Sequence, residues 1–352
     1  MVLMRMPAEW EPHEATWLGW PHERTDWPGK FAPVRWVYAE IVRNLVPREK
    51  VRILVQDKAH REKARRTLSQ AGVGDGAVEF HTCPTNRGWL RDSGPIFVRN
   101  EAGEAVIANS KFNAWAKYGD YRKDNRVPDY VSRRLGIPQV KTGLVLEGGA
   151  IDVNGRGALL TTGECLLSPV QARNPGLSRQ DVEAVLARYL GASHVLWLNR
   201  GIAGDDTHGH IDDIARFVNA NTVVAAIEDD PSDDNYQPLR ENLGRLRRMK
   251  DQDGRPLRVL KLPMPVPVSF GNQRLPASYA NFYIANGAVL VPVFNDPNDR
   301  VALNTLSRAL PGREAIPIYC RDLVLGLGAI HCLTQQQPRT IAPGRCAAPA
   351  RR

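Results

Sequence analysis

IDVNGRGALL (151–160), FVNANTVVAA (217–226) and FYIANGAVLVP (282–292) are three versions of one short pattern, and FVRNEAGEAVI (97–107) is a longer fourth. Each pairs two apolar runs across a turn containing Asn, the signature of two antiparallel strands joined tightly. The turn residues Asn100, Asn154, Asn219 and Asn286 are 54, 65 and 67 positions apart. Helical segments follow most hairpins. RQDVEAVLARYL (179–190), with Ser178 and the acidic residue after it placed to cap it, and ENLGRLRRM (241–249) carry apolar residues at helical spacing. A further strand ends each unit, as in HVLWL (194–198) and IPIYC (316–320). At the N-terminal end VRILV (51–55), a helix near 59–71 and VEFH (78–81) fit the same scheme. Five strand–strand–helix–strand units of about 65 residues fill most of the 352-residue chain. One such unit cannot bury its sheet alone, whereas closure into a ring buries all five. The expected fold is therefore α/β, a five-bladed pseudo-symmetric propeller of ββαβ units. It forms one domain over 1–340, with 341–352 as a C-terminal tail. The alternative is a two-domain α/β protein whose hairpins resemble one another by chance.

Composition excludes several classes. At 43% hydrophobic residues the chain has enough apolar matter for a large core. No stretch approaches the ~18 uncharged apolar residues of a membrane helix, and the first residues lack the apolar region of a secretory signal. The formal charge is +9, from 47 Lys+Arg against 38 Asp+Glu. The basic residues are scattered among acidic ones rather than gathered in a stripe, which argues against a nucleic-acid partner. The five cysteines, Cys83, Cys165, Cys320, Cys332 and Cys346, are odd in number and irregular in spacing. That argues against a disulfide framework or a zinc ribbon and for a reducing cytoplasm. No P-loop occurs, and GLGAIH (326–331) is not a dinucleotide fingerprint, since its sixth position is His331.

Polar segments stand before the hairpins: GWLRDSGP (88–95), LEGG (146–149), GDDTHGHIDD (204–213) and PASYAN (276–281). The last unit ends in GLGAIHCLTQQQP (326–338). In a ring of repeated units equivalent positions converge on one axis, so Asp92, Glu147, His210, Asp212 and Cys332 are expected to meet. Taken singly each has a plain reading. Asp92 before SerGlyPro is a turn residue, Glu147 an exposed loop carboxylate, His208 a turn neighbour and Cys332 a buried hydrophobe. His208 and His210 could hold a metal, but no further ligand stands at a convincing spacing, and no metal or cofactor is expected. Taken together, carboxylates hold a planar cation through charge-assisted hydrogen bonds. A cysteine beside a protonated histidine is a nucleophile. A guanidinium meets both conditions.

These motifs resemble the agmatine deiminase family of the guanidino-group-modifying (pentein) superfamily. The matching segments are EWEPHEATW (9–17), WLRDSGP (89–95), FNAW (112–115), LEGG (146–149), DDTHGHIDD (205–213), ASYANF (277–282) and IHCLTQQQP (330–338). The resemblance implies a five-bladed α/β propeller with its site on the axis. It implies Cys332 as nucleophile, His210 as general acid and base, and Glu147 orienting His210. Asp92 and Asp212 would bind the guanidinium nitrogens, and Trp89 would pack on the substrate's methylene chain. The implied reaction converts agmatine to N-carbamoylputrescine and ammonia through a thiouronium intermediate, a step of putrescine and polyamine synthesis. The family's habit implies a homo-oligomer.

Two segments depart from the family pattern: Ala329 stands where Asn is expected, and LGWPHERTDW (18–27) differs after its Trp-Pro. Peptidyl-arginine is the rival substrate, and free arginine a third, because Arg87 and Arg91 lie close to Asp92 in sequence. Amidino transfer to an amine would use the same intermediate. A propeller that only binds, without chemistry, is the reading from a different class.

Overall fold

The structure, a computed structural model, describes residues 4–340. The proposed tail 341–352 and Cys346 lie outside the described residues. The chain is α/β, with strands β1 (His13–Gly19), β2 (Lys50–Val55), β3 (Val78–Thr82), β4 (Ile96–Arg99), β5 (Ala105–Lys111), β6 (Gln139–Val145), β7 (Asp152–Val153), β8 (Ala158–Thr162) and β9 (His194–Leu198) in the first part. The second part adds β10 (Ala215–Asn219), β11 (Thr222–Ile227), β12 (Arg258–Pro263), β13 (Ser269–Phe270), β14 (Gln273–Arg274), β15 (Tyr283–Ala285), β16 (Ala288–Val293), β17 (Glu314–Tyr319) and β18 (Thr334–Pro338).

The repeated hairpins are all present. β4–β5, β7–β8, β10–β11 and β15–β16 are antiparallel pairs, and each second strand then pairs in parallel with β6, β9, β12 or β17. A parallel neighbour cannot be reached by a tight turn. The helices Val127–Leu135, Arg179–Leu190, Tyr236–Leu246 and Asn298–Ala309 supply those crossovers. Helix Arg179–Leu190 begins in a full capping box, with Ser178 and Asp181 bonding each other's backbone N–H groups.

The fifth sheet was not legible as a single stretch. Its order is β18-β1-β2-β3, with β18 antiparallel to β1 and the rest parallel. The strand that completes the N-terminal unit therefore comes from the other end of the chain. β13 and β14 form a separate small hairpin.

Helix Phe31–Leu45 shows how the units are covered. Its buried residues Val34, Tyr38, Ile41, Val42 and Leu45 recur at helical spacing and form one stripe against the sheets. Full burial of each such side chain contributes about 1.5–3 kcal/mol. Among the described residues no helix is long and apolar enough to cross a membrane.

Candidate active site

Loops lead into the first strands of the five sheets, and side chains from four of these loops meet. Asp92 stands in the short helix Leu90–Ser93 before β4, and Glu147 just before β7. His210 and Asp212 precede β10, and Cys332 lies in the turn Ile330–Leu333 before β18. His210 Nδ1 is 3.8 Å from Asp92 Oδ1 and 3.9 Å from Asp212 Oδ1, and its Nε2 is 3.8 Å from Glu147 Oε2. Cys332 Sγ is 3.7 Å from Asp212 Oδ2. All five expected residues are thus brought together, each at most 5% exposed.

The cluster is unusual in what it leaves unbonded. Both ring nitrogens of His210, Glu147 Oε2 and Asp212 Oδ1 are buried without a hydrogen-bond partner. Buried polar atoms are nearly always paired, because an orphan costs about 1–3 kcal/mol. Four such orphans close together leave polar atoms for which the protein itself supplies no bond. A cavity of about 480 Å³ opens beside the cluster, and His210, Glu147 and Asp212 are not among the residues that line it. Asp92 and Cys332 lie on its wall with Trp89, Trp115, Tyr118, Arg87 and Asp26.

Burial sets the electrostatics. It pushes Asp92 up to about 6, with Asp212 and Glu147 adding repulsion and His210 opposing. Burial would also raise Glu147, but Arg173 and His210 overcome it and hold that carboxyl at about 2. For His210 burial disfavours the charged ring, yet Asp92, Cys165 and Glu147 hold its pKa well above the ordinary imidazole range. Burial, reinforced by Asp212, Asp213 and Asp92, raises the Cys332 thiol well above the usual cysteine value. The nearest polar atoms to the thiol are those of Asn281, whose Nδ2 is 3.1 Å from Sγ, and Asp212.

Glycines make the close approach possible. A Cβ on Gly149 would sit 2.6 Å from His210 Nδ1 and 2.7 Å from Asp92 Oδ1, and the Gly149 N–H donates to Asp92 Oδ1 at 3.0 Å. A Cβ on Gly328 would lie 2.9 Å from the Trp89 ring and 3.1 Å from Cys332 Sγ. The glycines of the 326–331 run serve that packing.

Several residues escaped the sequence reading. Arg173, fully buried, donates Nε to Glu147 Oε1 at 3.0 Å and bonds the Gln171 and Thr207 carbonyls. Trp115 donates its indole N–H to Asp92 Oδ2 at 2.9 Å from a turn in which Ala114, Trp115 and Ala116 all have positive φ. Left-handed geometry costs about 1–2 kcal/mol per residue, so this turn is held by its surroundings. Asn281 also bonds Asp213, and Ser278 donates to the Asp213 carbonyl. Tyr279 bonds Asp299, well behind the site. The FNAW and ASYANF strings marked these segments without revealing the bonds. Arg173 had no such signal, since its partner is distant in sequence.

Other expected residues take different places. Trp89 lines the cavity, 5.4 Å from the Trp27 ring, and its N–H is 3.2 Å from Asp26 Oδ2. Arg87 reaches the cavity paired with Asp26. Arg91 is sealed behind it, bonded to the His331 carbonyl, Gln336 and Glu9. His208 bonds Ser168. Glu147, Cys165 and His210 offer atoms within 4.8 Å of one another that could hold a metal ion. The Arg173 guanidinium on Glu147 opposes a second cation there.

Known proteins resemble this chain over nearly its whole length. A sequence model of the Porphyromonas-type peptidyl-arginine deiminases matches residues 5–338. The agmatine deiminase of Ectopseudomonas mendocina (strain ymp) is 36% identical over 95% of each chain. A structure described as the agmatine deiminase of Enterococcus faecalis catalysing its reaction superposes with a TM-score of 0.90, at 32% identity over 96% of both chains. A Cys-to-Ser variant of the C. jejuni agmatine deiminase with substrate bound gives a TM-score of 0.86, at 31% identity over 97% of this chain and 98% of that one. The chain belongs to the Porphyromonas-type peptidyl-arginine deiminase family.

Proposed function

We propose that this protein hydrolyses the guanidino group of agmatine, giving N-carbamoylputrescine and ammonia. The observation that carries the reading is the set of orphaned polar atoms of His210, Glu147 and Asp212 in one cluster with Asp92 and Cys332, the two members that lie on the cavity wall. A guanidinium is flat, positively charged and rich in N–H donors, so it satisfies the carboxylate oxygens.

Asp92 and Asp212 bind the guanidinium nitrogens and place its carbon over Cys332 Sγ. The substrate's charge offsets the carboxylates that keep the thiol protonated, so the thiol gives its proton to solvent water and becomes thiolate as substrate arrives. The thiolate adds to the guanidinium carbon. His210, held protonated, gives its proton to the departing nitrogen, which leaves as ammonia, and the C–N bond breaks. The thiouronium remains on Cys332. His210, now neutral, takes a proton from water, whose oxygen attacks the same carbon. Collapse expels the thiolate and releases the ureido product. Glu147, ionised by Arg173, orients His210 throughout. Trp89 flanks the methylene chain.

The cavity favours agmatine over free arginine. Among the described residues lining it Arg87 is the only cation, and Asp26 already engages it. No free positive group is left for an α-carboxylate.

The five similar sheets support closure into a five-bladed propeller of one domain over 1–340. The four described cysteines are all free, which supports a cytoplasmic setting. A homo-oligomer and a place in polyamine synthesis follow the family's habit. The test is ureido and ammonia production by purified protein on agmatine, free arginine and an arginine-containing peptide, beside Cys332→Ser. Turnover of agmatine alone, lost in the variant, supports the reading. Turnover of the peptide alone moves it to protein modification, and none on any substrate refutes it.

A further inference from the structure

Behind the proposed catalytic residues lies a second buried chain of charged groups. His331 precedes Cys332 directly. Its Nδ1 is 2.6 Å from Asp212 Oδ2 and its Nε2 is 2.8 Å from Glu9 Oε2. Glu9 comes from the opposite end of the chain. It also accepts the Ile284 backbone N–H at 2.8 Å and lies 2.9 Å from Arg216 Nη2 and 3.3 Å from Arg91 Nη2. Arg216 in turn meets Asp152 at 3.1 Å. His331, Glu9, Arg91 and Arg216 are each at most 5% exposed.

This chain gives the two oxygens of Asp212 different duties. Oδ2 is bonded by His331, while Oδ1 has no partner and faces His210 across 3.9 Å. A carboxylate with one oxygen held cannot turn freely, so its other oxygen keeps its place beside His210. The ring that holds it is itself held at Nε2 by Glu9, and the His331 backbone N–H donates to Asn281 Oδ1 at 3.0 Å. The two arginines and the Ile284 amide fix Glu9, so it cannot follow a wandering ring.

We propose that His331 is a positioning residue for the reaction: its Nδ1 pins one oxygen of Asp212 so that the other meets the substrate, and Glu9 holds the imidazole in that orientation. The inference rests on the reading of Asp212 as a guanidinium-binding carboxylate. A preset oxygen spares the substrate the cost of ordering it.

Two amides separate this role from bulk packing. The Asn side-chain nitrogen overlays His Nδ1, so His331→Asn keeps a donor for Asp212 and loses the link to Glu9. The Gln side-chain nitrogen overlays Nε2, so His331→Gln keeps the link to Glu9 and loses the pin. Steady-state kinetics on agmatine, with thermal unfolding of both variants, is the test. His331→Gln should raise KM about tenfold or more, the scale of a lost bond to a charged group, and H331N should stay within about threefold. Equal KM values in two folded variants would overturn the inference while leaving the proposed reaction standing. A wild-type protein that turns over no guanidine would overturn both. Should either variant fail to fold, the Nδ1 proton of His331 is followed by NMR in Cys332→Ser. Its resonance should persist when agmatine binds, and its loss would mean that the pin breaks to admit substrate.

Discussion

Gly149→Ala adds one methyl group where His210, Asp92 and Asp212 converge. The new Cβ would lie 2.6 Å from His210 Nδ1, 2.7 Å from Asp92 Oδ1 and 3.1 Å from Asp212 Oδ2. Favourable contact needs about 3.5 Å. The three groups must therefore move by roughly 0.4–0.9 Å. All three are buried, so none has an open direction in which to relax. Gly149 does not have a positive φ, so alanine meets no backbone strain and the change tests space alone. Displacements of about 1 Å in a catalytic cluster cost about 100-fold. Overpacking of this kind costs about 1–3 kcal/mol of stability. The expected outcome on agmatine is a fall in kcat/KM of about 100-fold, with unfolding lowered by only a few degrees. Gly244→Ala is the control. It lies in helix Tyr236–Leu246, with no atom nearer than 4.0 Å to its Cβ, and should gain about 0.5–1 kcal/mol at unchanged activity. If Gly149→Ala keeps kcat/KM within about threefold of wild type, the placing of these groups does not govern the reaction.

Three further outcomes follow from the electrostatics. With Asp92 pushed up to about 6, the carboxylate that the cation needs is lost as pH falls through 6, so KM should rise tenfold per unit below it. The stability contribution of this group has the opposite sense: its raised pKa favours the folded state fully below the ordinary value of 3.8, and that contribution is lost as pH rises through about 6. A KM that is flat from pH 5 to 8 would contradict this. Arg173→Met strands the buried Glu147 charge and should cost about 3–5 kcal/mol in denaturant unfolding. Adding Glu147→Gln should recover most of that stability but not activity. Trp115→Phe removes the indole donor to Asp92 and should raise KM about tenfold, with about 1–3 kcal/mol lost from fold stability for the stranded carboxylate oxygen, checked by kinetics and denaturant unfolding.

The four Asn-turn hairpins and the helix after Ser178 were legible because each is written in a few contiguous residues. The hairpins span 96–111, 152–162, 215–227 and 283–293, and the capping box stands at Ser178 and Asp181. The repeat then placed the five expected site residues, since equivalent loops lead into equivalent strands. What was hidden depends on distant partners. Nothing near β1 says that β18 is its neighbour. Arg173 and Glu147, or Glu9 and His331, become meaningful only when separate sheets meet. The hydrogen-bonding groups at Cys332 Sγ, Asn281 and a carboxylate, likewise come from loops far apart in sequence.

The central claim is a covalent intermediate on Cys332. Rapid acid quench during turnover of agmatine, followed by digestion and mass spectrometry, tests it most directly. The account predicts an adduct of the substrate's amidine carbon and chain on the peptide containing Cys332, absent from Cys332→Ser, which forms no ureido product. Undiminished product from Cys332→Ser, or an adduct mapped to Cys165, would contradict it.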